Sequence, residues 1–276
     1  MSCQQPRCHF EQPSLAYTEA GAGEAILLLH GSAGSGAMWR RLIAALQPAY
    51  RVVAPDLTGY GRSAPWPAGA EYTIAAEARG LRPLLPCCKS FHLVGHSFGG
   101  LVALQLALAN PARVRTLTLI EPVFVAVLSA MDDAYASFAA QRARFDLTLK
   151  RGDRDAAMRD FVTFWNGEGA WDGLNGTARS AMRAMANKIA LDCHAAFRFE
   201  PRSERLKFLA DRTTIVGGDR SPLPMRRLVH VLHQSMAGSA RVVIPDATHL
   251  LPLTHGVALT AVILAQLHAD AERRLR

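Results

Sequence analysis

From Ser14 onward, short apolar runs of strand length alternate with longer stretches whose apolar residues recur at three- and four-residue spacing. No other feature constrains the fold as strongly. Parallel strands need crossover connections, and crossover helices cover both faces of the sheet, so this alternation predicts an α/β fold with a mostly parallel central sheet flanked by helices. Strands are expected at residues 15–18, 25–29, 52–55, 91–94, 114–120, 213–216 and 241–244, each ending near Gly, Asp, His or Pro. Helical spacing marks 39–46, 73–85, 101–109, 224–234 and 257–267. Between about 123 and 205 the strand rhythm stops. Ala-, Arg- and Met-rich stretches at 134–148, 154–165 and 178–197 predict three or four helices there, interrupted at Gly152–Asp153 and by the Gly-rich segment 167–176. A chain of 276 residues, half of them hydrophobic, can bury one large core. The expected organisation is one core domain, residues 1–122 and 206–276, with a helical insertion at 123–205.

Charge and cysteine usage exclude several function classes. A net charge of +8 favours an anionic partner only when it is gathered on one face. Arg40–Arg41, Lys150–Arg151, Arg226–Arg227 and Arg273–Arg274 stand on separate segments without interleaved aromatic residues, so no nucleic-acid partner is expected. The longest apolar stretches, 101–109 and 123–131, fall well short of the roughly 18 residues that a membrane span needs. Met1 to Phe10 holds no apolar run of the signal-peptide kind. A cytoplasmic protein with no membrane partner, monomeric or homodimeric, is the expectation. Cys3, Cys8, Cys87, Cys88 and Cys193 lack zinc-ribbon or redox spacing and are expected as free thiols.

At the end of the fourth predicted strand comes Gly95-His96-Ser97-Phe98-Gly99-Gly100, followed at once by an apolar helix. A Gly-x-Ser-x-Gly arises by chance in about one chain in ten of this Gly and Ser content, so its context decides. Strand, tight turn and helix is the context a nucleophilic serine requires: the turn is strained, and glycines two before and two after let backbone segments pass closely. Ser97 then sits at a helix start, where unsatisfied amides can bind a developing oxyanion. The Phe98 amide is one expected donor. The second is expected from His30-Gly31-Ser32-Ala33-Gly34, the loop after the second strand, with the Ser32 amide as the choice.

His30-Gly31, Asp56-Leu57-Thr58-Gly59-Tyr60-Gly61-Arg62-Ser63, the serine turn and His249 near the C-terminus together resemble the α/β-hydrolase fold family. The resemblance runs from Ser14 to the last helix. It puts the insertion where that family carries its cap, or lid. It does not choose the reaction, because esterases, lactonases, carbon–carbon bond hydrolases, haloperoxidases and peptidases share the pattern.

A serine hydroxyl needs an imidazole in reach and a carboxylate to orient that imidazole. Of ten histidines, His249 follows the last strand, where the resemblance places the base; His255 is its nearest rival and is expected to face solvent. His30 and His96 are expected to shape their loops. The acid has two solutions. The family commonly carries it after the next-to-last strand in a Gly-x-x-Asp pattern; counted from Gly218, that place holds Ser221, and Asp219 comes two positions early. Other members carry it after the strand that follows the nucleophile helix, where this chain has Glu121. Both fit the order serine, acid, histidine.

Asp56 is expected to cap its loop or pair with Arg62, and His230 and His233 lack a third ligand nearby, so no metal site is expected. Phe161, Phe164, Trp165 and Trp171 are either core or pocket lining, with Trp165 the candidate for substrate contact. The combined expectation is a serine hydrolase with no cofactor, acting on a small carboxylic ester or lactone through an acyl-enzyme. A carbon–carbon bond hydrolase is the alternative within the family, although its members usually carry Trp after the histidine where this chain has Leu250. A non-catalytic ligand receptor on the same fold is the alternative outside hydrolases.

Overall fold

The computed structural model describes residues 14–275 except Cys88. Cys3, Cys8, Cys88 and the segment Met1 to Phe10 therefore lie outside the described residues. One sheet holds β1 (Tyr17–Ala20), β2 (Glu24–Leu29), β3 (Tyr50–Pro55), β4 (Phe91–His96), β5 (Val114–Ile120), β6 (Thr213–Gly218) and β7 (Ala240–Ile244). Their order is β1-β3-β2-β4-β5-β6-β7. β1 runs antiparallel to β3, and every other neighbouring pair is parallel.

The central strands are apolar without interruption because both of their faces are buried. Along β2, Leu27 and Leu29 join one apolar layer while Ile26 and Leu28 join the other, as a two-residue side-chain period demands. The second layer is closed by α1 (Arg40–Leu46) and α10 (Gly256–Leu275), through Leu42, Leu46, Leu259, Ile263 and Leu267. The first is closed by α2 (Ile74–Gly80), α3 (Phe98–Ala109) and α8 (Leu223–Ser235). Two elements depart from the sequence expectation. The first strand begins at Tyr17 rather than residue 15, and its residues Tyr17, Thr18 and Glu19 are exposed on the sheet edge; the apolar signal came from half-buried Leu15 and Ala16 just before it. The helix expected over 73–85 stops at Gly80, and a 3₁₀ turn at Arg82–Leu84 carries Pro83, which cannot continue an α-helical ladder.

Between β5 and β6 the chain inserts α4 (Asp133–Lys150), α5 (Arg154–Asn166), α6 (Gly176–Phe197) and the short α7 (Ser203–Lys207). Asp132, Asp153 and Asn175 cap the first three, each side chain accepting a first-turn amide. Phe138, Phe145, Met158, Val162, Trp165 and Ile189 bury themselves in the same layer as α3, so the insertion packs continuously onto the core. After β7 comes α9 (Leu251–Thr254), leading into α10. No helix among the described residues is long and apolar enough to cross a membrane.

Candidate active site

Ser97 joins β4 to α3 with φ 54° and ψ −120°, a strained conformation for a residue with a side chain. Its amide donates to the Ile120 carbonyl at 2.9 Å, which ties the turn to the end of β5. Crowding explains why glycine stands at Gly99 of the turn and at Gly31 of the loop after β2: a Cβ at Gly99 would lie 2.3 Å from the His30 carbonyl oxygen, and one at Gly31 would lie 2.9 Å from Ser97 Cβ. The loop after β2 is thus pressed against the serine turn.

The Ser97 hydroxyl lies 3.0 Å from Nε2 of His249, and Nδ1 of the same ring lies 2.7 Å from Oε2 of Glu121. A carboxylate at Nδ1 fixes the proton there and leaves Nε2 as an acceptor for the serine proton. Glu121 is fully buried, with a positive φ of 42° where β5 breaks into Pro122. Its second oxygen accepts the Gly218 amide at 2.7 Å and the Ser221 hydroxyl at 2.5 Å. Asp219, the other acid expected from the sequence, is not brought to the histidine. Its side chain is exposed, its amide is bonded to the Ile244 carbonyl at 3.3 Å, and the carboxylate position at Nδ1 is filled by Glu121. Ser221, standing where the commoner family pattern has its acid, instead donates to Glu121.

His96 and His30 support this arrangement from behind. His96 Nε2 donates to the His249 carbonyl at 2.9 Å, with the two rings 4.8 Å apart. Burial, reinforced by the neighbouring His249, pushes the His96 pKa well below the usual imidazole range, so the ring buttresses without adding charge. His30 Nε2 accepts the Leu57 amide at 2.8 Å while Nδ1 donates to the Gly31 carbonyl at 2.7 Å, which joins the loops after β2 and β3. Burial lowers its pKa to about 4. Asp56 accepts the amides of Gly36 at 2.8 Å and Arg62 at 2.9 Å and serves the same loops. His255 is bonded to Thr254 Oγ1 on the exposed side of α9.

A cavity of about 270 Å³ lies over Ser97, bordered by Ser32, Phe98, Phe161, Trp165 and His249. The Trp165 indole stacks on the His249 ring, centroids 4.3 Å apart at 24°. Phe164 packs edge-on against the indole at 4.9 Å, and Trp171 is buried at 1% exposure away from the cavity lining. Of the four aromatic candidates, therefore, Trp165 and Phe161 reach the cavity. Sequence reasoning missed Lys188 and Asp192 of α6. They are four apart on a helix, the spacing of an ordinary surface pair, yet both are buried. Asp192 borders the cavity and accepts from the hydroxyls of Ser32 and Tyr60, at 2.6 and 2.5 Å, and from Lys188.

A profile of the alpha/beta hydrolase fold matches residues 24–256. The chain belongs to that family. Among solved structures of the fold, a thermophilic esterase from Thermogutta terrifontis superposes with a TM-score of 0.73 over 94% of both chains at 23% identity. Sequence relatives include a pimeloyl-[acyl-carrier protein] methyl ester esterase from Aeromonas hydrophila, 39% identical over 41% of this chain and 44% of the relative. Lipase LipV of Mycobacterium tuberculosis is 43% identical over 35% of this chain and 36% of its own. The chain thus spans less than half the length of these two sequence relatives.

Proposed function

We propose that this family member is a serine hydrolase acting on an uncharged carboxylic ester or lactone. The observation that carries the reading is the unbroken chain from Ser97 Oγ through both nitrogens of His249 to a buried Glu121. In this mechanism Ser97 attacks the carbonyl carbon while His249 takes its proton, and the Glu121 carboxylate stabilises the imidazolium that forms. The amides of Ser32 and Phe98 receive the oxyanion. Protonated His249 then delivers its proton to the leaving alkoxide, and water, deprotonated by the same ring, releases the acyl group from Ser97. Esterase and lipase names among the relatives agree with this chemistry.

The insertion, residues 123–205, acts as the cap: Trp165 and Phe161 close the cavity over the serine and contact substrate. Cavity electrostatics support an uncharged substrate. Among the described residues that border it there is no Lys or Arg, and the one carboxylate, Asp192, already has three donors. A ring-fission product, the substrate of the carbon–carbon bond reading, is a carboxylic acid and would meet no cation there. The test is turnover of matched p-nitrophenyl esters, one with a neutral alkyl acyl chain and one ending in a carboxylate. Hydrolysis of the neutral ester, abolished in Ser97→Ala and at least tenfold slower for the anionic one, is the expected result. Binding of esters without turnover would favour the receptor reading, and preference for the anionic ester would contradict the proposed substrate class.

A further inference from the structure

Lys188 and Asp192 lie on α6 of the insertion, but almost every group they touch belongs to the core. Asp192, 1% exposed, accepts from Ser32 on the loop after β2 and from Tyr60 on the loop after β3. Lys188 donates to its other oxygen and to the Tyr72 hydroxyl at 2.8 Å. Tyr72 passes the chain on to Glu77 at 3.0 Å, and Glu77 also accepts the Thr58 amide at 2.9 Å. The Lys188 ammonium sits 4.5 and 4.4 Å from the ring centroids of Tyr60 and Tyr72, and 5.2 Å from that of Phe98. The hydroxyls of Ser32, Tyr60 and Tyr72 and the Thr58 amide all donate to one of two carboxylates, Asp192 or Glu77.

Two of the residues it holds are Ser32 and Phe98, whose amides are the oxyanion donors under the hydrolase reading. We infer that Asp192, with its charge balanced by Lys188, is a positioning residue for the oxyanion hole, so that the hole is complete only while the cap is docked on the core. The inference rests on the hydrolase reading above. Its physical basis is that Ser32 stands in a short turn, Gly34 N–H to Gly31 carbonyl at 3.1 Å, next to Ala33 with a positive φ of 62°. A strained loop of this kind holds one orientation when an outside group over-determines it, and the charge-assisted bond from Ser32 Oγ to Asp192 is such a group. A carboxylate alone so near a developing oxyanion would oppose it; Lys188 cancels that opposition while leaving the hydrogen bonds intact.

The test compares steady-state hydrolysis of a neutral p-nitrophenyl ester by wild type, Ser32→Ala, Asp192→Asn and the double variant, with thermal melts of each. Ser32→Ala keeps the amide and removes only the anchor. Asp192→Asn keeps the shape but has one acceptor oxygen, which Lys188 claims, leaving Ser32 facing an amide NH₂. Misaimed donors act on the transition state, so each single variant should lower kcat by about 10- to 100-fold with KM within about threefold. Because both break one linkage, the double variant should be no slower than the slower single one. Multiplicative losses, or a rise in KM at unchanged kcat, would overturn the inference and reduce Asp192 to a wall of the cavity. Should Asp192→Asn not fold, Ser32→Ala decides alone, and an unchanged kcat there overturns it. A wild type that hydrolyses no ester and takes up no fluorophosphonate would overturn the hydrolase reading, and this inference with it.

Discussion

Two regions meet at the cavity and position their groups by different physics. At the ends of β4, β5 and β6, backbone does the positioning: Ser97 and Glu121 sit at positive φ, and amides of Ser97 and Gly218 bond to Ile120 and to Glu121. In the insertion, side chains do it: the Trp165 face against His249, and the carboxylate of Asp192 against Ser32 and Tyr60. Backbone positioning is local and rigid, because a displaced carbonyl or amide disrupts a whole strand end. Side-chain positioning reaches across the fold, from residue 192 to residue 32. The first region suits groups that must hold one geometry, and under the proposed function the second covers the site.

Predictions that break or sharpen this contrast begin with the acid. Glu121→Ala should lower kcat by about 10³- to 10⁴-fold, the range for losing the orienting carboxylate of a serine triad, while Asp219→Ala should stay within about twofold. The reverse ranking would mean that the strand ends do not set the triad. A smaller effect comes from pH. His30 in the loop after β2 stays neutral when folded until about pH 4, whereas in the unfolded chain it protonates near its ordinary value of 6.5. The unfolded state therefore holds more protons between these values, and stability is lost as pH falls from about 6.5 toward 4, by on the order of 3 kcal/mol from this group. Glu77, on the insertion's network, has the opposite sign: burial raises its pKa, so its contribution weakens as pH rises above the ordinary carboxylate range. Urea denaturation between pH 7 and pH 4.5 should show the net loss toward acid, reduced in His30→Gln. A flat wild-type profile would contradict the account of His30.

The same contrast explains what could be read from the chain alone. That Ser97, Phe98, Ser32 and His249 come together at one cavity was legible because strand, turn and helix signals surround each of them, and backbone geometry follows such local signals. The helices of the insertion were legible from their Ala-, Arg- and Met-rich stretches and the Gly breaks between them; the side chains of Asp132, Asp153 and Asn175 cap them in the structure. The choice between Glu121 and Asp219 was not legible, since both follow strand ends and precede His249 in the chain; it turns on Glu121 meeting His249 Nδ1 across 128 positions, with Ser221 donating to its other oxygen. Lys188 and Asp192 were invisible because a buried pair and a solvated pair share one helical spacing. Among the insertion's aromatic residues Trp165, the candidate taken from the sequence, meets His249, while Trp171 is buried away from the cavity.

The central claim, that His249 and Glu121 activate Ser97, is tested most directly by intact-mass analysis after incubation with a fluorophosphonate. The account predicts one covalent adduct on the wild type, none on Ser97→Ala and none on His249→Ala at matched times. An unmodified, folded wild type, or an adduct that survives Ser97→Ala, would contradict it.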